Sequence, residues 1–440
     1  MTGYVRDASR RSWGRVIAAE HQVARPAFTD EIEGLLANRP HTVLPVGLHR
    51  SYGDSGLNAG GALLDLTGLN RLISFDEETG VLHAEAGTTL ADVLAFAIPR
   101  GFFLPVTPGT KHVTLGGAVA NDVHGKNHPT HGTFGNHVEG LGLLRSGHPR
   151  QWLTPDDPSG LFNATIAGLG LTGVITDVAI KLRPIAASDL DAETIAFGDV
   201  KEFFQLAAES VSSHEYTVAW IDCLKGGSAP GRGIFTRANH AASGTMELGA
   251  GPHLPMPFDL PSMTLNSLSV RAFNWLYYHK HRLSAGRRSM GYDAFFYPLD
   301  GINNWNRMYG RRGFYQYQCV IPSDVGELAI PEMVRQIARA GEASFLVVLK
   351  SFGRIPSPGL LSFPTEGATL ALDFPNRGSS TLALLDRLDA VVDEAQGRLY
   401  PAKDGRIPPK MFKRGYPRAS EFAAFVDPAF SSSFWRRVAE

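Results

Sequence analysis

The stretch from 107 to 136, TPGTKHVTLGGAVANDVHGKNHPTHGTFGN, limits this chain more than any other. It holds six glycines (Gly109, Gly116, Gly117, Gly125, Gly132, Gly135) and four histidines (His112, His124, His128, His131), with almost no bulky apolar side chain. Such a segment has little to bury in a core. Glycine lets backbone come close to a ligand and adopt positive φ, and bare N–H groups in such turns make concavities that suit anions. The rest of the chain is ordinary folded protein, 43% hydrophobic and 19% charged. The segment therefore reads as a loop-like cofactor cradle rather than a linker.

At 440 residues two domains are expected. A net charge of −1 and a pI near 7.0 give no field to recruit nucleic acid. Cys223 and Cys319 lie far apart and neither belongs to a CxxC, so no disulfide framework or zinc site is implied. The opening MTGYVRDASRRSWGRVIAAE is basic but has no apolar core, and a secretory signal is not expected. Leu161 to Ile180 is the most apolar stretch, yet Asn163, Thr165, Thr172, Thr176, Asp177 and three glycines interrupt it, against a transmembrane helix.

HTVLPVG (41–47) reads as a strand running into the turn 47–54, and 61–87 alternates strand-like runs with turns at Gly68 and Gly80. TLADVLAFAIPRG (89–101) has helical spacing, whereas VITDVAIKLRP (174–184) alternates as a strand. Beyond Asp189 come the amphipathic segment 200–211, strands at 216–224, 313–322, 343–353 and 368–375, and helices at 326–340 and 380–396. The expectation is an α+β fold whose second domain is an antiparallel sheet backed by helices. Loops are expected at 226–231 and 249–262.

Several motifs mislead. GLGLTG (168–173) fits GxGxxG, but a strand follows it where a Rossmann fold needs a helix, so that fold is rejected. GDSG (53–56) resembles a serine-protease nucleophile without room upstream for its partners. The spacing of Asp122, His124, His128 and His131 does not set ligands on one rigid face, and no metal is expected. Lys403, in LYPAKDGR, reads by itself as a solvated lysine. Tyr277 to Arg288 reads first as a solvated helix face, with a phosphate or an anionic membrane surface as the alternative.

Taken together, PVGLHRSYGDSGLNAGG (45–61), the 107–136 segment and AGLGLTGVIT (167–176) resemble the PCMH-type FAD-binding domain of the vanillyl-alcohol-oxidase superfamily. Within it, HGKNH, YQYQ and AKD are most similar to the decaprenylphosphoryl-β-D-ribose 2′-oxidase family. The similarity runs on through AWID (219–222), FYPLDGINNWNRMYG (296–310), LSFP (361–364), LDFP (372–375), YPR (416–418) and VDP (426–428). It implies a FAD-binding domain at 1–188, a substrate-binding domain at 189–396, and a segment at 397–440 returning to the first.

The resemblance also implies roles. Pro45, Val46, Gly47, Leu48, His49, Arg50, Ser51, Tyr52, Gly53 and Asp54, with Gly109, Thr110, Thr114, Leu115, Gly116 and Gly117, would wrap the FAD pyrophosphate and ribose. Asn121, His124, Gly125 and Asn127 would lie beside the isoalloxazine, with Ile175 and Tyr400 further along. Lys126, Tyr315, Gln316, Gln318, Lys350, Thr369, Ala371 and Lys403 would line the substrate pocket. Relatives that tether FAD covalently carry a histidine where this chain has Arg50, so FAD is expected to be non-covalent. Where the family usually has Asn-Ile-Cys-Val-Asp-Phe-Pro, this chain has Thr369 for the Asn and Ala371 for the Cys, which touches the sugar contacts.

The implied reaction is oxidation of a secondary alcohol, most directly the 2′-hydroxyl of a polyprenyl-phosphoryl ribose, by hydride transfer to flavin N5. It would be the first half of an epimerisation in arabinan and cell-wall synthesis. Lys403 and His124 are the catalytic candidates, Lys403 as base or as alkoxide stabiliser. A short-chain dehydrogenase partner is expected for the return reduction. Location is expected to be cytoplasmic, with peripheral contact at the inner face of the membrane through the 249–262 loop. The alternatives are an oxidase of soluble alditols or aldonolactones, and a non-catalytic flavin- or lipid-binding protein.

Overall fold

The computed structural model describes residues 3–249, 254–261, 264–342 and 344–439. Its first layer is a small mixed sheet in which Val43–Val46 and His21–Ala24 flank Ala62–Asp65 in parallel, with Val5–Asp7 antiparallel at the edge. Next in the chain is a five-stranded antiparallel sheet, ordered Leu72–Asp76, Val81–Glu85, Val174–Lys181, Val138–Leu144, Gln151–Leu153. Val174–Lys181 is its central strand and is buried on both faces along all but its last residue, where its alternation predicts one open face. No helix among the described residues is long and apolar enough to cross a membrane.

The largest sheet has eight antiparallel strands. Their order is Gly286–Met290, Leu190–Phe197, Gly233–His240, Tyr216–Ile221, Val347–Phe352, Gly367–Pro375, Phe314–Pro322 and Arg398–Leu399. Helices Val200–Ser210, Ser323–Ala340 and Ser379–Glu394 back one face. The period-2 pattern decides what each face carries. On Gly367–Pro375, Ala368, Leu370, Leu372 and Phe374 share a core with Ile330, Met333, Ile337, Leu384 and Leu388 of the helices. Burying each such Leu or Phe stabilises the sheet by about 1.5–3 kcal/mol. Thr369, Ala371 and Asp373 are left for the opposite face, which fronts a cavity.

Residues beyond 397 begin as the edge strand of this large sheet and then cross to the N-terminal layer. Tyr52 N–H donates to Ala402 O at 2.9 Å, and Val43 N–H to Ala429 O at 2.8 Å. The Arg437 guanidinium grips both oxygens of Asp54 at 3.0 and 2.7 Å. The α+β architecture with a helix-backed antiparallel sheet is the one expected. Strands Leu190–Phe197 and Gly233–His240 have no counterpart in the sequence reading; the helix face expected at Tyr277 to Arg288 is the end of the helix Ser267–Leu283, and its last residues belong instead to the edge strand Gly286–Met290.

Candidate active site

One cavity of about 1130 Å³ runs between the glycine-rich loops and the open face of the large sheet. Pockets for small ligands usually span about 300–1,000 Å³, so this one has room for a large cofactor with a substrate. Pro45 to Tyr52, the end of the parallel strand Val43–Val46 and the turn after it, form one wall. The N–H groups of Leu48, His49, Arg50 and Ser51 find no acceptor among the described residues. His49 holds φ at 51°, in the left-handed region, and so turns this run of N–H groups. Arg50 ties the two glycine segments together: its Nε donates to His112 O at 3.1 Å, and its guanidinium lies 3.9 Å above the Trp13 ring.

Gly47 and Gly109 show why these positions suit glycine. A Cβ on Gly47 would lie 2.3 Å from Thr114 Oγ1, so the two cradle segments touch there. At Gly109 a Cβ would meet no protein atom within 4 Å and would project into open space, so the bare backbone leaves that space on the cavity wall to a ligand. The 168–173 turn completes this end: Gly170, at φ 75°, would set a Cβ 3.1 Å from Pro45, and Ile175 follows on the cavity wall.

Several expected cradle residues do other work. Residues 115–120 form a short helix rather than a loop, capped by Thr114, whose Oγ1 accepts from Gly117 N at 3.2 Å. Leu115 N–H donates to Thr88 O and Gly116 N–H to Ala86 O, both at 2.8 Å, so none of these three N–H groups is left for a pyrophosphate. The Leu115 side chain belongs to the core. Asp54 is spent on Arg437. A Cβ on Gly53 would fall 1.5 Å from Asp404 O, which makes Gly53 a packing glycine. Asn127 turns away from the cavity and donates from Nδ2 to Pro105 O at 2.8 Å and Glu215 Oε1 at 3.1 Å.

The far end of the cavity is polar and floored by side chains from three strands and two loops. Gln316 and Gln318 stand on the cavity face of Phe314–Pro322, paired with Asp373 and Ala371. Tyr315, one residue before Gln316, packs by the same alternation against the core under the helices, so it does not line the pocket. Lys350 is paired with Thr369 on the neighbouring strand. Lys126 lines the cavity, its ammonium bonded to Phe295 O and 4.3 Å from the Phe295 ring. Lys403 enters from the C-terminal segment, 3.9 Å from the centre of the Tyr52 ring. Its position in the cavity overturns the solvated-lysine reading.

His124 is the hub. Lys350 Nζ lies 3.2 Å from its Nδ1, and the Gln318 amide nitrogen 2.9 Å from its Nε2. Gln318 is itself held by Thr369 Oγ1 at 3.2 Å, and that hydroxyl donates to Cys319 O at 2.9 Å. Burial, reinforced by Lys350, drives the imidazole well below its ordinary pKa, so it is neutral. Burial also lowers the lysines. Lys126 falls to about 7 with help from Lys350, and Lys350 to about 7 with help from Lys403. Lys403 falls to about 8, its charged form supported by Asp373. Asn121 and Tyr400 lie beside this hub, with Tyr400 Oη donating to Asn121 O at 3.0 Å.

Residues 21–148 match the FAD binding domain family. The chain is 35% identical over 415 residues to decaprenylphosphoryl-β-D-ribose oxidase of Mycolicibacterium smegmatis, covering 90% of this chain and 89% of that protein. The chain belongs to that oxidase family. An uncharacterized protein in the mprA 5′ region of Streptomyces coelicolor is 34% identical over 371 residues, 80% of this chain and 99% of its own length. A putative D-arabinono-1,4-lactone oxidase of Neurospora crassa is 30% identical over 122 residues, 28% of this chain and 22% of its own length.

As a member of the decaprenylphosphoryl-ribose oxidase family the chain is an FAD-dependent oxidoreductase. The residues present fit that cofactor: unclaimed N–H groups at 48–51 face a cavity with a bare glycine wall. One polar residue escaped the sequence reading. Asp373 is 1% exposed, accepts from Gln316 Nε2 at 2.7 Å and leaves its second carboxylate oxygen without a partner. Burial raises it to about 7, against the pull of Gln316 and then Lys403. Strand period alone would have found it, two residues past Ala371.

Proposed function

We propose that this chain oxidises the 2′-hydroxyl of a polyprenyl-phosphoryl ribose to the keto sugar, with FAD held non-covalently. One observation carries the substrate class. Lys126 and Lys350 line a single cavity, and neither has a carboxylate supporting its charge among the described residues. Buried, uncompensated cations are costly unless a ligand brings negative charge. A phosphodiester does so, whereas a neutral alditol does not. The M. smegmatis relative named for such a substrate supports the same reading.

Bound FAD supplies the hydride acceptor. The rest falls to the protein. As the C–H bond gives up hydride, the hydroxyl proton passes to the neutral amine of Lys403, and the carbon becomes a carbonyl. With a pKa of about 8, a useful fraction of Lys403 is neutral near pH 7.5. Lys126 and Lys350 hold the phosphate. His124, with both ring nitrogens engaged, is a positioning residue that keeps Lys350 and Gln318 in register. Non-covalent FAD is supported by Arg50 at the tethering position and by His49, whose charged neighbours Arg10 and Asp65 belong to the first sheet's side. Burial holds His49 at about 4.

We further assign residues 1–188 with 397–440 to FAD and 189–396 to substrate. The keto product needs a separate reductase, for which a short-chain dehydrogenase fits. The purified protein should be yellow, lose its flavin on denaturation, and bleach anaerobically with polyprenyl-phosphoryl ribose. Bleaching by free alditols or lactones alone would replace the substrate. No bleaching by either would leave a binding protein.

A further inference from the structure

We propose that the outer face of helix Ser267–Leu283 rests on an anionic lipid surface and holds the cavity mouth against it. The inference deepens the reading above, on which it rests for the lipid tail of the substrate.

The helix is fixed by its inner side. Val270, Asn274 and Tyr278, one turn apart, are buried against strands Leu190–Phe197 and Gly233–His240. Asn274 Nδ2 donates to Asp222 Oδ1 at 2.9 Å, and Tyr277 packs on Trp220 at 4.6 Å. Held this way, it cannot roll its other face inward.

That other face is apolar. Leu268, Trp275, Leu276 and Leu283 fall on one stripe at helical spacing and are 77%, 56%, 61% and 89% exposed. Of the sixteen large apolar side chains exposed among the described residues, eight lie between Leu248 and Leu283. A patch this concentrated on a folded protein marks a contact surface.

Charge selects the occupant. Between Asp259 and Asp293 the sequence has no acidic residue but carries Arg271, Lys280, Arg282, Arg287 and Arg288, in a chain of net charge −1. On the helix, Arg271 and Arg282 flank the stripe on one side and Lys280 on the other. Apolar residues and Trp bordered by long basic side chains suit a lipid interface, where the aliphatic stems lie among headgroups. Protein interfaces, by contrast, are depleted in lysine.

The surface adjoins the pocket. Phe273, Tyr277 and His281 on the same helix, and Arg288 just after it, line the cavity. A prenyl chain leaving the site would pass beside the apolar stripe. In the 249–262 loop Leu254 and Phe258 are each 63% exposed, while residues 250–253 and 262 lie outside the described residues.

The test is co-sedimentation of the FAD-loaded protein with phosphatidylglycerol/phosphatidylcholine vesicles and with phosphatidylcholine alone. Anionic vesicles should bind it far better, with about fivefold lost for each basic residue removed from the rim. A Leu276→Glu/Leu283→Glu double variant should lose about tenfold or more in partitioning. Its circular dichroism and its turnover of a short-chain, water-soluble prenyl-phosphoryl ribose should be unchanged. No binding of the unaltered protein to anionic vesicles at low salt, or equal binding by the variant, overturns the proposal. So does a dimer of the unaltered protein that the variant abolishes, because a second copy then covers this face. Vesicle binding without oxidation of the soluble analogue sinks the substrate reading and leaves the lipid surface standing.

Discussion

The two walls of the cavity are built from different materials. The N-terminal wall is backbone: free N–H groups at 48–51, a bare glycine at 109, and a left-handed turn at His49. The opposite wall is side chain, with Gln316, Gln318, Lys350, Thr369 and Asp373 projecting from alternate positions of three neighbouring strands. A backbone wall recognises a polyanion of any sequence-independent kind, and it fails when anything bulky is added. A side-chain wall tunes protonation and selects a substrate, and it fails one function at a time.

The sharpest test adds a single methyl group. Gly53→Ala sets a Cβ 1.5 Å from Asp404 O, a backbone atom that cannot swing aside. It should cost roughly 3 kcal/mol or more, by the forced backbone shift, and yield material poor in flavin. Flavin absorbance per mole of protein, read with the thermal midpoint, reports both losses. Full FAD content would show that this end is held by something other than close packing.

On the other wall, Lys403→Ala should leave yellow, folded protein whose substrate bleaching slows by about 10²–10⁴. Unchanged bleaching removes Lys403 from the reaction. In the unaltered enzyme the active form is the neutral amine, so kcat at saturating substrate, where the bound phosphate keeps Lys126 and Lys350 charged, should rise about tenfold per pH unit below about 8 and level off above it. A limb of opposite slope would mean that charged Lys403 steadies the alkoxide instead.

The smallest effect concerns stability. Lys350 is lowered to about 7 from an ordinary 10.5, so between these values the unfolded chain binds more protons than the folded one. Stability of the FAD-free protein therefore rises with pH across that window. Lys350→Met removes the penalty below it and should raise the thermal midpoint at pH 7 by several degrees while weakening substrate binding. A lower midpoint would show that the ammonium contributes more through His124 and Gly125 O than burial costs it.

The two walls were unequally legible. Glycine composition marks the backbone wall directly, and family motifs locate its loops. What composition does not reveal is which N–H groups remain unpaired: Leu115, Gly116 and Gly117 look like pyrophosphate ligands until the partners Thr88 O, Ala86 O and Thr114 Oγ1 appear. On the side-chain wall the strands were evident, and alternation separates Gln316 and Gln318 from Tyr315. The same rule picks out Asp373 beyond Ala371. Asn127 was less accessible, because only the tertiary positions of Pro105 and Glu215 explain its direction. Of the helix Ser267–Leu283 only the end from Tyr277 was legible; the first half escaped because its apolar stripe faces solvent, so its spacing does not signal a core.

Gly53 against Asp404, with Tyr52 bonded to Ala402 and Val43 to Ala429, also orders events during synthesis. Strand Val43–Val46 and the turn after it wait for residues 402 and 429 before their hydrogen bonds are complete. Such long-range closure is slow, so a nascent chain should accept the dinucleotide only once residues 397–439 have been made and docked. Truncation by a few dozen C-terminal residues would then abolish flavin loading even though most of the cradle's atoms are present.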